Sequence, residues 1–243
     1  MASKQDTAAQ GTPVSGGTAS QHTTPPKPSA DAEDAAKDKK PGTVSIDQDV
    51  EDKDHQLPPH PEPLPPQHPS FIHCMPPKNP AITKNKHSVF LAGSIEMGNA
   101  VQWQPHMVKR LHHLPITVCN PRRGHWNTSI IPAKDDMDFK TQVEWELKAL
   151  DDVTVVCFFF DHNTRSPVTM LELGLLAEKH KVVVCCDKRF WKSGNIHIVC
   201  GKYGIPYCET FEGLVGLIMK ELKKNDLDVD ENGKLLSEPS SAD

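Results

Sequence analysis

Between residues 87 and 225, short apolar runs alternate with segments whose apolar positions recur at helical spacing. Val89-Phe-Leu-Ala-Gly93 is the first run. A stretch from about Asn99 to His113 follows, with Val101, Met107, Val108 and Leu111 near the helical period. Ile116-Thr-Val-Cys-Asn120 is a second run stopped by Pro121, and Arg122 to Asp138 reads as a long loop, a length that commonly carries function. Phe139 to Leu150 places Val143, Leu147 and Leu150 on one helical face, and Val153 to Phe160 is the most apolar run of the chain. Its lack of alternation predicts a strand buried on both faces. Ser166 to His180 is then the helix after that strand, and Lys181-Val-Val-Val-Cys-Cys186 a fourth strand. Ile205-Pro-Tyr-Cys208 is a weak edge strand, because Pro206 cannot donate to a central ladder, and Phe211 to Lys224 is a closing helix. Strands alternating with helices predict an α/β domain: a flavodoxin-like, Rossmann-like sheet of five parallel strands in the order 2-1-3-4-5, with helices on both faces.

The flanks have no such pattern. Fifteen of the 22 prolines fall within residues 1–80, in a segment rich in Gln, Ser, Thr, Lys and Asp. Such a composition buries too little apolar surface to offset chain entropy, so residues 1–86 read as a disordered arm. Within it, the Pro-rich run Leu57 to Pro69 favours polyproline II, either as a ligand for the aromatic-lined groove of a partner domain or as a spacer. Residues 226–243 read as an acidic disordered tail, which leaves residues 87–225 as one domain. The net charge of −5 divides as −2 in the arm, +2 in the domain and −5 in the tail. A nearly neutral domain excludes a nucleic-acid polymer as ligand. Met1-Ala-Ser-Lys-Gln-Asp carries no apolar leader core, and no apolar run is long enough to cross a bilayer, so a soluble cytoplasmic protein without membrane contact is expected. Seven cysteines, three of them (Cys119, Cys157 and Cys185) inside strand-like runs, suit reduced core thiols. Cys185, Cys186, His197, Cys200 and Cys208 lack paired ligand spacing, and no metal or organic cofactor is expected.

Ligands in such sheets bind beyond the carboxyl ends of the strands. Gly93 and Ser94, Asn120 to Arg123, and Asp161 with the start of the next helix should therefore converge. Glu172 stands among apolar residues in that helix. Taken alone, a Glu on a helix is a solvated surface residue; placed after the buried strand, it faces the crevice. Glycosidic chemistry needs a carboxylate below the anomeric carbon and an acid near the leaving group. Glu172 suits the first role, and Asp161, Glu144 or Glu146 the second. One helical turn connects Gln142 to Glu146, so that pair can reach one ligand. Arg122 and Arg123 offer guanidinium forks for a phosphate or a sugar hydroxyl, and Gly93-Ser94 lets backbone approach a ligand closely. Trp126 is a candidate for stacking a base, whereas Trp103 reads as core.

Four blocks, Val89-Phe-Leu-Ala-Gly-Ser-Ile-Glu-Met-Gly98 with Trp103-Gln104, Asn120-Pro-Arg-Arg123 with Trp126, Gln142-Val-Glu-Trp-Glu-Leu147, and Thr164-Arg-Ser-Pro-Val-Thr-Met-Leu-Glu-Leu-Gly174, together resemble the nucleoside 2-deoxyribosyltransferase-like family. The similarity spans about Ser88 to Ile205. It implies a flavodoxin-like sheet, a nucleophilic glutamate at Glu172, and transfer of a 2-deoxyribosyl group between bases or to water. It also implies a homo-oligomer, and Ser166 and Thr169 join the residues expected to hold the substrate, a small-molecule nucleoside or nucleotide. Where transferases of that family carry an aspartate six residues before the nucleophile, this chain has Ser166. Two functions follow from these residues: an enzyme acting on an N-glycosidic bond through Glu172, or a non-catalytic nucleotide-binding or signalling module of the same fold.

Overall fold

Six strands, all parallel, build the central sheet: β2 (Ile72–Cys74), β3 (Ser88–Gly93), β4 (Thr117–Cys119), β6 (Val155–Phe160), β7 (Val182–Cys186) and β8 (Tyr207–Cys208), in the order β2-β4-β3-β6-β7-β8. Two further strands, β1 (Val44–Ile46) and β5 (His125–Asn127), pair antiparallel with each other, Ser45 opposite Trp126. The computed structural model describes residues 44–46, 50–77, 84–127, 132–230 and 236, all within one unit, residues 40–243.

The expected five-strand sheet is corrected to six. Counted along the chain, the six strands run 1-3-2-4-5-6, because β2 adds to the free edge of β4. Three residues flanked by prolines have no periodicity of their own. The exposed ladder of β4 supplies the pairing, and Phe71 and Cys74 supply the burial. This strand lies inside the Pro-rich stretch read as an arm. Residues 50–77 also meet the domain elsewhere: Gln56 Nε2 donates to Asp161 Oδ1 at 2.9 Å, His60 stacks on His106 at 3.9 Å, and His68 N–H donates to the His112 carbonyl at 2.8 Å.

Among the described residues, five α-helices cover the sheet: α1 (Trp103–Leu111), α2 (Met137–Asp152), α3 (Pro167–Leu176), α4 (Ser193–Tyr203) and α5 (Phe211–Lys224). The period-two alternation of the strands divides the core into two layers. Phe90, Ala92, Val156, Phe158, Phe160 and Val184 pack with α2, α3 and α4 through Trp145, Leu173 and Ile196. Val89, Leu91, Val155, Cys157, Phe159 and Val183 pack with α1 and α5 through Trp103, Met107, Phe211 and Ile218. Burying each of these large side chains contributes about 1.5–3 kcal/mol. Helix α4 has no counterpart in the sequence pattern, because only Ile196 and Cys200 of its eleven residues are buried.

Two local devices set the site. Gly93 ends β3 at φ +150, and a Cβ there would lie 2.4 Å from the Phe159 carbonyl oxygen and 2.7 Å from the Trp103 ring, so only glycine fits. Asp136 caps α2 by accepting the Phe139 N–H at 2.9 Å, which fixes the start of the helix that carries Gln142 and Glu146.

Candidate active site

A cavity of about 420 Å³ opens beyond the carboxyl ends of β3 and β4, a size suited to a nucleoside-scale ligand. Its floor is Phe90, Ala92 and Gly93 of β3, and Pro121 after β4 closes one side. The turn Ile95-Glu96-Met97, the α2 residues Phe139, Gln142 and Glu146, and Ser166, Pro167, Val168, Thr169 and Glu172 at the start of α3 complete the wall. Of the candidates from sequence, Glu172, Glu146, Gln142, Gly93, Ser166 and Thr169 meet here.

Glu172 and Glu146 are two cavity-lining carboxyls whose proton affinity the fold raises. The Glu172 carboxyl is pushed up to about 8, first by burial and then by the neighbouring charge of Glu146. Burial also raises Glu146, against the Gln142 amide and the Arg123 charge, which both pull it down. Two neighbouring carboxyls that both resist ionisation oppose each other's second charge, the environment that sets paired carboxyls apart from solvated ones. Gln142 Nε2 donates to Glu146 Oε1 at 2.7 Å, while the buried Gln142 Oε1 has no hydrogen-bond partner among the described residues. That oxygen is an acceptor left for a ligand N–H or O–H.

The first turn of α3 is braced from below. Ser94, Thr164 and Ser166 form a buried triangle of hydroxyls, with Ser94 Oγ to Ser166 Oγ at 2.6 Å, Thr164 Oγ1 to Ser94 Oγ at 2.9 Å and Thr164 Oγ1 to Ser166 Oγ at 2.8 Å. Ser166 is left-handed, φ 48, and its N–H donates to Glu96 Oε2 at 3.1 Å alongside the Arg165 N–H at 2.8 Å. Ser94 is thus a bracket under the site, and Glu96 is a wall residue that the sequence reading passed over. Its signal was present in Ser94-Ile-Glu96, directly past the strand end, but a turn Glu without periodicity looks solvated.

The structure places the remaining candidates elsewhere. Asp161 is fully buried outside the cavity, and its oxygens accept from Val101 N–H, Asn163 N–H and Gln56 Nε2, each at 2.9 Å. Glu144 is exposed and pairs with Lys140 at 3.6 Å. Asn120 Oδ1 accepts the Arg122 N–H at 2.9 Å. The buried Arg122 guanidinium donates to the carbonyls of Val101, Ala100 and Gly98 and to Gln104 Oε1, at 2.8, 3.0, 3.3 and 3.2 Å. It fastens the loop before α1 and has little left for an anion. Arg123 is half-buried beside Glu146, with Nε buried and unpartnered. Trp126 lies on β5, but its side chain is outside the described residues. Among the described residues, no group of three or more His, Cys, Asp or Glu is placed to hold a metal ion, and no helix is long and apolar enough to cross a membrane.

A search of curated proteins finds no match to the chain. Every residue lining the cavity falls between Phe90 and Glu172, and the stretch that contains them all, residues 86–190, matches the model of the nucleoside 2-deoxyribosyltransferase-like family.

Proposed function

We propose that the cavity binds a 2-deoxynucleoside or its nucleotide and that the protein cleaves or transfers at the N-glycosidic bond with retention, through Glu172. The observation that carries this reading is the Glu172–Glu146 pair, two carboxyls with raised proton affinity in one nucleoside-sized cavity. Glu172 in its ionised form attacks C1′, forming a C1′–O bond as the bond to the base nitrogen breaks. Glu146 gives its proton to the departing base, while Gln142 Oε1 accepts a base N–H. In the second half, Glu146 takes a proton from water or from an incoming base, whose oxygen or nitrogen attacks C1′ and frees Glu172. The fold raises the proton affinity of both carboxyls, and the reactive arrangement has the proton moved from Glu172 to Glu146. Substrate that covers Glu172 with the electron-poor C1′ favours that move.

A second reading is favoured by Asp161 and Ser166. With Asp161 held by three donors and Ser166 in the position of the family's aspartate, the cavity of a sensing module would bind nucleotide without turnover. Incubating the full chain and its Glu172→Ala variant with a panel of 2′-deoxynucleosides and 5′-monophosphates, with and without an acceptor base, separates the two. Base released or exchanged by the unmodified chain alone supports the enzyme. Saturable binding without product supports the sensor.

A further inference from the structure

We propose that Glu96 sets the ligand specificity of this cavity, by accepting a hydroxyl of the sugar and excluding a 5′-phosphate. The inference rests on the nucleoside reading above and adds which substituent the site selects. Glu96 enters the cavity from the turn after β3, whereas Glu146 and Glu172 enter from α2 and α3. One of its oxygens, Oε2, is fixed by the two N–H donors of Arg165 and Ser166 at the start of α3. Among the described residues no donor reaches the other oxygen, and the side chain lines the cavity. Charge-assisted acceptance by such an oxygen is worth more than a neutral hydrogen bond, so an immobilised carboxylate with spare capacity favours a hydroxyl donor.

The backbone supports the same conclusion. Glu96 and Met97 are both left-handed, at φ 47 and φ 51, and Glu96 accepts from Ser166, itself at φ 48. Residues with side chains hold that conformation only where the surroundings impose it, and such residues cluster at ligand clamps. Here the turn sets the carboxylate at the cavity wall, held on one side by the Arg165 and Ser166 N–H groups. Charge decides between hydroxyl and phosphate. Among the described residues, the lining carries three carboxyls, Glu96, Glu146 and Glu172, and no lysine or arginine. Arg122, the residue that suggested a phosphate site, has its guanidinium bonded to three backbone carbonyls and Gln104. Arg123 is not part of the lining, and its charge acts on Glu146. A doubly charged phosphate at Glu96 would meet like charge in a partly enclosed space, which is how a site rejects a competitor it could otherwise fit.

The test is equilibrium binding by calorimetry of a 2′-deoxynucleoside and its 5′-monophosphate to the full chain carrying Glu172→Gln, so that turnover does not confuse the titration. The same titrations follow with Glu96→Gln added. Gln keeps one carbonyl oxygen for the Arg165 and Ser166 N–H donors, so α3 stays capped while the charge is lost. The nucleoside is expected to bind at least about tenfold more tightly than the monophosphate, and Glu96→Gln to reduce that preference about tenfold or more. Tighter binding of the monophosphate in the Glu96 protein overturns the proposal without need of the second variant, as does a preference unchanged by Glu96→Gln. If neither compound binds, both this inference and the nucleoside reading fall. If both bind with the expected preference but the unmodified chain releases no base, only the catalytic reading fails.

Discussion

Replacing Glu172 by Gln should abolish base release and at the same time make the fold more stable, by an amount that depends on pH. The half-buried carboxyl lines the cavity floored by Phe90 and Ala92, and burial together with the Glu146 charge raises its proton affinity from 4.5 to about 8. In the unfolded chain it titrates near 4.5, so between these values the folded protein holds a proton that the unfolded chain has released. Rising pH then favours unfolding. The contribution is fully present below about 4.5 and is lost as pH rises through about 8. At about 1.4 kcal/mol for each tenfold change in affinity, the penalty reaches about 3 kcal/mol at pH 7 and about 5 kcal/mol above pH 9, and water in the open cavity reduces the upper figure to about 3–4 kcal/mol. Glutamine has the shape without the titration, so the stability gap between variant and parent isolates this carboxyl. Urea unfolding of both proteins at pH 5, 7 and 9 measures it through the transition midpoints at constant slope. A gap that widens with pH is expected. A gap equal at pH 5 and pH 9 would show a solvated carboxyl and refute the argument that burial and Glu146 prepare it for chemistry.

Other consequences are measurable in the same protein. The base-release rate should be bell-shaped in pH, falling above about 8 as the pair loses its shared proton. Glu146→Gln should slow substrates with poor leaving bases far more than those with activated ones. Gly93→Ala should cost about 3 kcal/mol or more, or prevent folding, since its Cβ would collide with the Phe159 carbonyl and the Trp103 ring; thermal melting reads this directly. A chain starting at residue 87 lacks β2, Phe71 and the Gln56–Asp161 bond, and its melting temperature should lie several degrees below that of a chain starting at residue 50. His106, held near 4 by burial and stacked on His60, must take up a proton to unfold. Stability should therefore fall as pH drops from about 6.5 towards 4, and His106→Phe should lessen that fall in urea titrations at pH 4.5 and 7.

The α/β alternation was legible because most of its elements are buried and therefore apolar. Val89 to Gly93 and Val155 to Phe160 carry no charged, amide or hydroxyl side chain to confuse their reading. What escaped depends on partners distant in sequence. Strand β2 is made by the open edge of β4, and β5 by its pairing with β1, so neither has an apolar run to announce it. Helix α4 escaped because one narrow buried stripe suffices at the margin of the sheet.

The site divides along a physical line that sequence alone does not draw, the hydrogen-bonding capacity left over after folding. Asn120, Arg122 and Asp161 are the motif-like polar residues at the strand ends, and each is buried with its polar atoms engaged by backbone or by His73, Gln56 and Gln104. Burying a guanidinium or a carboxylate without such partners would cost several kcal/mol, so their polarity is consumed in fixing the loops that shape the cavity. Among the described residues, Gln142 keeps an unpartnered oxygen and Glu96 one free carboxylate oxygen, and Glu172 has a carboxyl whose ionisation the fold resists. A strand-end Arg and a helical Glu look equally chemical in a sequence. In the folded chain the Arg has become scaffold, and the Glu retains the capacity that a substrate can use.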